Sequence, residues 1–193
     1  MLPNPFLRRG ASQVLAVSMT GVKMGDRVAF VGCAHGERLA AMAAKVGLSG
    51  RAVAIVPDAP SAERVRKGAA RVGVLVEIEI APPTRLPLED AGIDLAVVDD
   101  TNGLLGLTPS EHRAASVREL VRILRPAGRV IVIGAVPRTG IWRLLSRGQP
   151  RSPFAFSGDA NRALEADGFG IVRTLAEREG LMFIEGIKVR AKS

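Results

Sequence analysis

The chain of 193 residues carries a formal net charge of +8, with 47% apolar, 24% charged and only 4% aromatic residues. This length suits one domain of ordinary size with its own apolar core, and the apolar share excludes long disorder. No apolar run approaches the ~20 residues of a membrane-spanning helix, and without tyrosine the stacking platforms of single-strand nucleic-acid binders are missing, so nucleic acid is not an expected partner.

The segment Met1-Leu2-Pro3-Asn4-Pro5-Phe6-Leu7-Arg8-Arg9 lacks the apolar core and cleavage site of a secretory signal, which makes the cytoplasm the expected compartment. Residues 1–22 read as a helical lead-in, with Leu7, Val14, Leu15, Val17 and Met19 recurring over 6–19 and Gly21 as its stop. Residues 27–31 form the first strand, and the turn Gly32-Cys33-Ala34-His35-Gly36 leads to an alanine-rich helix over 37–46, closed by Gly47 and Gly50. The second strand, 51–56, is continuously apolar after Arg51, as in a parallel sheet with both faces covered. Pro57-Asp58-Ala59-Pro60-Ser61 starts a helix that stops at Gly73. Residues 75–80 alternate apolar with acidic, the pattern of a charge-guarded sheet edge, and Pro82-Pro83 forces a turn.

Residues 93–98 are a buried strand ending in Asp99-Asp100. Thr108-Pro109-Ser110-Glu111 predicts a helix start with Thr108 as N-cap and Glu111 completing a capping box, the helix running to Leu124. Arg125-Pro126-Ala127-Gly128 is a turn before a fifth strand over 129–134. A short amphipathic piece at 141–145 and a helix at 159–167 follow, then strands at 171–176 and 181–189 joined so closely that they form an antiparallel hairpin. Repeated βα units in one domain mean a doubly wound sheet with right-handed crossovers.

The turn after the first strand is the natural ligand loop. Minimal side chains at Gly32, Ala34 and Gly36 let a ligand lie against the backbone, and the following helix turns its N–H groups and dipole toward an anion. Cys33 and His35 do not make a nucleophile and base, because residues two apart in a tight loop do not orient that way and a third partner is lacking. Cys33 is the sole cysteine, and with His35 and His112 it offers no metal-site spacing, so neither a disulfide nor a metal is expected. Between Glu119 and Asp159 there is no carboxylate, while Arg122, Arg125, Arg129, Arg138, Arg143, Arg147 and Arg151 all fall there. That stretch reads as a solvated basic face, with a peripheral contact to an anionic surface as the alternative.

Parallel βα units closed by an antiparallel hairpin carry three ordered phrases: Leu86-Pro87-Leu88 before Ile93-Asp94-Leu95, the Leu124-Arg125-Pro126-Ala127-Gly128-Arg129-Val130 run, and Ala166-Asp167-Gly168-Phe169 before the last strands. Together they resemble the class I S-adenosylmethionine-dependent methyltransferases, over roughly residues 14–189. The resemblance implies an α/β, Rossmann-like, doubly wound sheet of seven strands, mostly parallel with an antiparallel last strand and helices on both faces, in a single domain spanning 1–193. It also implies S-adenosylmethionine as cofactor, bound at the carboxyl ends of the first, second and fourth strands by Gly32, Cys33, Ala34, His35, Gly36, Pro57, Asp58, Thr84, Arg85, Leu86 and Asp99, with a lid-like segment at 137–157. Three usual anchors differ: Phe30 stands where the family has an acid, Val56 where it has the ribose-holding acid, and Pro82-Pro83-Thr84 where an acid reaches the adenine. Asp58, on the same side of the extended chain as Val56, is the substitute; its other role is to cap the next helix.

Methyl transfer from a sulfonium asks mainly for in-line alignment, so no fixed catalytic residue is expected. Asp99, Asp100 and His112 are the groups to watch at the acceptor, with His35 beside the cofactor loop. The expected activity is transfer to a small-molecule or lipid-like acceptor with apolar bulk and an anionic group. The alternative is a degenerate methyltransferase-like binding or assembly protein. A nicotinamide enzyme fits less well, because Gly32-x-Ala34-x-Gly36 is not the dinucleotide spacing.

Overall fold

The computed structural model describes residues 5–136 and 158–189, with side chains from residue 13 onward. The expected piece at 141–145 and the lid-like segment at 137–157 lie outside the described residues. In chain order the elements are α1 (Pro5–Thr20), β1 (Arg27–Val31), α2 (Gly36–Val46), β2 (Arg51–Val56), α3 (Ala59–Val72), β3 (Glu77–Ile80), β4 (Ile93–Asp99), α4 (Ser110–Ile123), β5 (Leu124–Ala135), α5 (Asp159–Ala166), β6 (Phe169–Arg178) and β7 (Leu181–Lys188).

The strands form one seven-stranded sheet in the order β3-β2-β1-β4-β5-β7-β6. The first five are parallel, and β7 runs antiparallel to both β5 and β6. Strand order reverses between β1 and β4, so the carboxyl ends of these strands flank the crevice where a doubly wound sheet takes its ligand. The apolar runs of β1, β2 and β4 are buried because both faces of the sheet are covered. Val28, Phe30, Ala54, Val56, Leu95 and Val97 pack toward α1, α2 and α3, and Ala29, Val31, Val53, Ile55, Ala96 and Val98 pack toward α4 and α5.

Local chemistry accounts for the boundaries. The edge strand β3 begins at Glu77, which pairs with Val53, and leaves Leu75 exposed outside the ladder. The expected turn at 125–128 is a bulge inside a longer β5: Leu124 pairs with Ile93 and Arg129 with Leu95, and Ala127 absorbs the extra length at φ 63. In the hairpin, Glu179 and Gly180 both lie in the left-handed region, matching the twist of β6 and β7. The capping box expected from Thr108 and Glu111 does not form. Helix α4 starts at Ser110 with Pro109 in the cap position and no side-chain cap, because the Thr108 hydroxyl instead donates to the Leu105 carbonyl at 2.6 Å.

Candidate active site

The β1–α2 loop leaves the sheet beside the end of β4, since Val31 pairs with Val98. Gly32 adopts φ 81 and donates its N–H to the Ile55 carbonyl at 2.8 Å. A Cβ at this position would lie 2.7 Å from Leu104 Cδ2, and one at Gly36 would lie 2.0 Å from the Arg64 carbonyl oxygen. Leu104 of the β4–α4 loop packs on Gly32 and the backbone of α3 packs on Gly36, so close packing inside the chain makes the same demand for a missing side chain as a ligand lying against the loop would.

The two carboxylates ending β4 have different surroundings. Asp99 accepts the Ala34 N–H at 2.9 Å and both its oxygens accept from Arg38 Nη2 at 2.8 Å, in a pair whose side chains are 4% and 11% exposed. Burial alone would raise its pKa, but the Arg38 charge and the hydrogen bonds from Thr101, Arg38 and Ala34 hold it below the usual carboxylate range. Asp100 turns the other way. Its Oδ1 accepts from Leu105 N at 2.7 Å and Gly106 N at 3.1 Å, and its carbonyl accepts from Gly103 N, which knots the loop before α4. Burial pushes the Asp100 carboxyl up to about 6 despite those two N–H groups, with Asp99 adding to the rise and Arg113 opposing it. Both Asp99 oxygens are therefore engaged by protein donors, while the Asp100 bonds fall on its Oδ1. His112 is exposed on α4, and Cys33 is buried with its thiol pushed up to about 11, chiefly by burial and then by Asp99.

A hollow of about 680 Å³ opens against the far side of the loop, within the ~300–1,000 Å³ range of small-molecule sites. Ala34, His35 and Gly36 border it, with Gln13 of α1 on one side and the β6–β7 turn at Glu179-Gly180-Leu181 on another. Arg64, Lys67 and Arg71 line it from one face of α3, at the spacing that aligns helical side chains. Arg64 is held by two bonds, from Nε to the Cys33 carbonyl at 3.1 Å and from Nη2 to the Ser61 hydroxyl at 2.6 Å. Arg71 pairs with Glu37, which also accepts from Gln13 Nε2 at 3.2 Å, and Lys67 stands 3.6 Å from Glu63. These cations escaped the sequence reading, although their i, i+3, i+7 spacing on the helix was the signal available.

The other expected contacts sit elsewhere. Pro57 and Asp58 are exposed at the end of β2, and Asp58 Oδ1 accepts from Ser61 N at 2.7 Å as the N-cap of α3; hydrogen bonds from the Ser61 side chain and then from its backbone N–H hold the Asp58 pKa down. Thr84 is half-buried and Arg85 exposed after β3. Leu86 is a core residue whose N–H donates to Glu119 Oε2 at 2.7 Å, so its part in the site is at most through backbone placement. Arg122 clamps the same loop, donating to the Leu86 and Leu88 carbonyls at 2.8 and 2.7 Å and pairing with Glu119 and Asp90. The basic stretch is therefore partly spoken for. Arg122 is engaged in this clamp, Arg125 pairs with Asp94 and Arg129 with Glu185, while Arg138, Arg143, Arg147 and Arg151 lie outside the described residues. No group of three or more metal-ligating side chains occurs among the described residues, and no described helix is long and apolar enough to cross a membrane.

An adenosyl-bearing donor fits these surroundings at the loop, where Ala34, His35 and Gly36 border the hollow; Asp58 is not among the residues that line it. Phe30 and Val56 are turned into the core, and neither they nor Pro82 and Pro83 line the hollow, so none of them fills it. It does not fit a direct contact to Asp99, whose oxygens are taken by protein donors.

Comparison with known proteins agrees with this geometry. The profile of the methyltransferase domain matches residues 30–132, more than half of the chain. A ubiquinone/menaquinone biosynthesis C-methyltransferase of Pseudomonas putida is 26% identical over 175 residues, covering 86% of this chain and 64% of that protein. An uncharacterized 37.1 kDa protein in a Streptomyces fradiae transposon is 32% identical over 108 residues, covering 56% of this chain and 30% of that protein. The chain thus spans less than two thirds of the length of either relative. Among solved structures, a SAM-dependent methyltransferase from Aquifex aeolicus superposes with a TM-score of 0.73 at 18% identity, covering 96% of this chain and 99% of that one, a likeness of fold. With the profile match over the β1–β5 half and the 3-2-1-4-5-7-6 sheet, the chain belongs to the S-adenosylmethionine-dependent methyltransferase family.

Proposed function

We propose that the chain is an S-adenosylmethionine-dependent methyltransferase whose acceptor is a small or lipid-like molecule bearing an anionic group. The observation that carries the reading is the hollow at the β1–α2 loop of a methyltransferase-family sheet, walled on one side by Arg64, Lys67 and Arg71. The backbone of Ala34, His35 and Gly36 would hold the donor, with the exposed Asp58 carboxylate at the end of β2 as the ribose contact. When bound, the donor supplies an electrophilic methyl on a sulfonium, and the protein's part is to align the acceptor with it and keep water out.

The acceptor's charge follows from the wall. Arg71 and Lys67 are in exposed ion pairs, which contribute little and exchange readily for another anion, while Arg64 is fixed by neutral acceptors and keeps its charge available to a ligand. A carboxylate or phosphate on the acceptor would meet this wall. The Pseudomonas putida relative, named as a quinone-biosynthesis C-methyltransferase, supports a small acceptor with apolar bulk. The reading also keeps the cytoplasm as the compartment, which cell fractionation checks.

Calorimetry with S-adenosylhomocysteine tests the donor half. Binding in the micromolar range is expected, and no heat at millimolar ligand would end the reading. The acceptor half is tested by titrating inorganic phosphate against the wild type and an Arg64→Gln/Lys67→Gln variant: phosphate should bind the wild type at least fivefold more tightly, and equal affinities would remove the anionic requirement.

A further inference from the structure

Asp99 ties two segments that border the hollow, the β1–α2 loop and the first turn of α2, to the start of the β4–α4 loop. It lies on the face of β4 that carries Leu95 and Val97, and from there its carboxylate reaches the β1–α2 loop at Ala34 N, the first turn of α2 at Arg38, and the start of the β4–α4 loop at Thr101. Its Oδ2 takes Ala34 N at 2.9 Å and Arg38 Nη2 at 2.8 Å. Its Oδ1 takes Arg38 Nη2 at 2.8 Å, Thr101 Oγ1 at 2.6 Å and Thr101 N at 3.2 Å. Arg38 Nη2 is further fixed by the Thr101 hydroxyl at 3.1 Å.

A carboxylate offers about four lone-pair sites, and five donor contacts already converge on this one. No site is left for an acceptor hydroxyl or for the donor. The charges also depend on each other, because removing either member of a buried pair strands the other in a medium that penalises it heavily. What the arrangement does control is the loop. Ala34 N is anchored to Asp99, and Gly36 is pinned two residues later against α3, so the edge of the hollow from Ala34 to Gly36 is held at both ends.

We propose that Asp99 and Arg38 are a positioning pair that presets the β1–α2 loop for the methyl donor, and that neither takes part in proton transfer. The proposal rests on the methyltransferase reading above. A bound donor must lie against the loop backbone, and displacements of about 1 Å are enough to spoil such alignment.

The test uses the whole chain and two readouts: amide hydrogen exchange at Ala34, and affinity for S-adenosylhomocysteine. In the wild type the Ala34 amide should be protected. Asp99→Asn should speed its exchange at least tenfold and weaken S-adenosylhomocysteine binding at least tenfold. Because a stranded Arg38 could unfold that variant, Arg38→Met/Asp99→Leu is the companion, removing both charges together. It should bind as weakly as the single variant while remaining folded by circular dichroism. Wild-type affinity in either folded variant would reduce the pair to a structural contact and overturn the proposal. If the wild type itself binds no S-adenosylhomocysteine, the methyltransferase reading falls, and the Ala34 amide still decides on the pair: lost protection in the variants supports the anchoring, and unchanged protection overturns it.

Discussion

Gly36, the first residue of α2, and Gly68, in α3, meet backbone to backbone, so that a Cβ at Gly68 would lie 2.3 Å from the Gly36 carbonyl oxygen and one at Gly36 would lie 2.0 Å from the Arg64 carbonyl oxygen. Neither glycine needs an unusual backbone conformation, which leaves the absent side chain itself as the requirement. The contact seats the basic face of α3 beside the hollow.

Gly68→Ala should therefore destabilise the protein despite alanine's better helix propensity. Overpacking costs about 1–3 kcal/mol, occasionally more, and in a chain of this size each kcal/mol lowers Tm by about 2–4 °C. Calorimetric melting checks it. An unchanged or higher Tm would mean that the helices separate freely and that the hollow's wall is not fixed there.

Asp100 gives a pH signature. Its carboxyl, raised to about 6 in the fold, holds its proton over a range where an ordinary aspartate of pKa about 3.9 has lost it. Between those values the folded state binds more protons than the unfolded chain, so this group's contribution to stability is greatest below about pH 4 and declines as pH rises to about 6, then stays level. Asp99, held below the usual range, acts oppositely: its contribution is full above about pH 4 and is lost as pH falls further. Asp100→Asn keeps an acceptor for Leu105 N and Gly106 N without the buried charge. It should melt several degrees above the wild type at pH 8, with the gap closing toward pH 4. A constant gap across that range would show that Asp100 does not titrate as stated.

Cys33 should be inert in the native protein. Its thiol, pushed up to about 11, supplies almost no thiolate at pH 8, and its side chain is buried. Iodoacetamide at pH 8 should label the native chain at least a hundredfold more slowly than the chain unfolded in guanidinium. Comparable rates would reopen the nucleophilic reading of Cys33.

Asp58 combines a visible role with a proposed one, and two substitutions separate them. Asp58→Ala removes the bond to Ser61 N and should lower Tm measurably as a lost N-cap. Asp58→Asn retains a capping oxygen, so Tm should stay close to the wild type, while affinity for S-adenosylhomocysteine falls about tenfold if the carboxylate holds a ribose hydroxyl. Unchanged affinity in both variants would confine Asp58 to capping.

The order of elements was legible in the sequence because it depends on local signals. The apolar runs at 51–56 and 93–98, the glycine stops after α1, α2 and α3, and the short Arg178-Glu179-Gly180 connection dictated parallel strands, helices and a closing hairpin. The alternation of Ile78 and Ile80 with Glu77 and Glu79 announced the edge strand, since one face of such a strand must meet water. Less was legible at the ends of α4 and β5, where Thr108 found a closer acceptor and the 125–128 turn was absorbed as a bulge by pairing on both sides.

By itself, then, the sequence determined the sheet, its helices and the loop between β1 and α2, because hydrophobic period and turn chemistry act over a few neighbouring residues. Tertiary structure alone decided what each polar group faces. Asp99 and Asp100 are identical neighbours in the chain, yet alternation at the end of β4 sends one to Arg38 and Ala34 from segments more than sixty residues away and the other into its own loop. Partners at that separation are set by strand order and helix packing, and those long-range contacts, not the spacing of the residues, gave the two carboxylates opposite electrostatics.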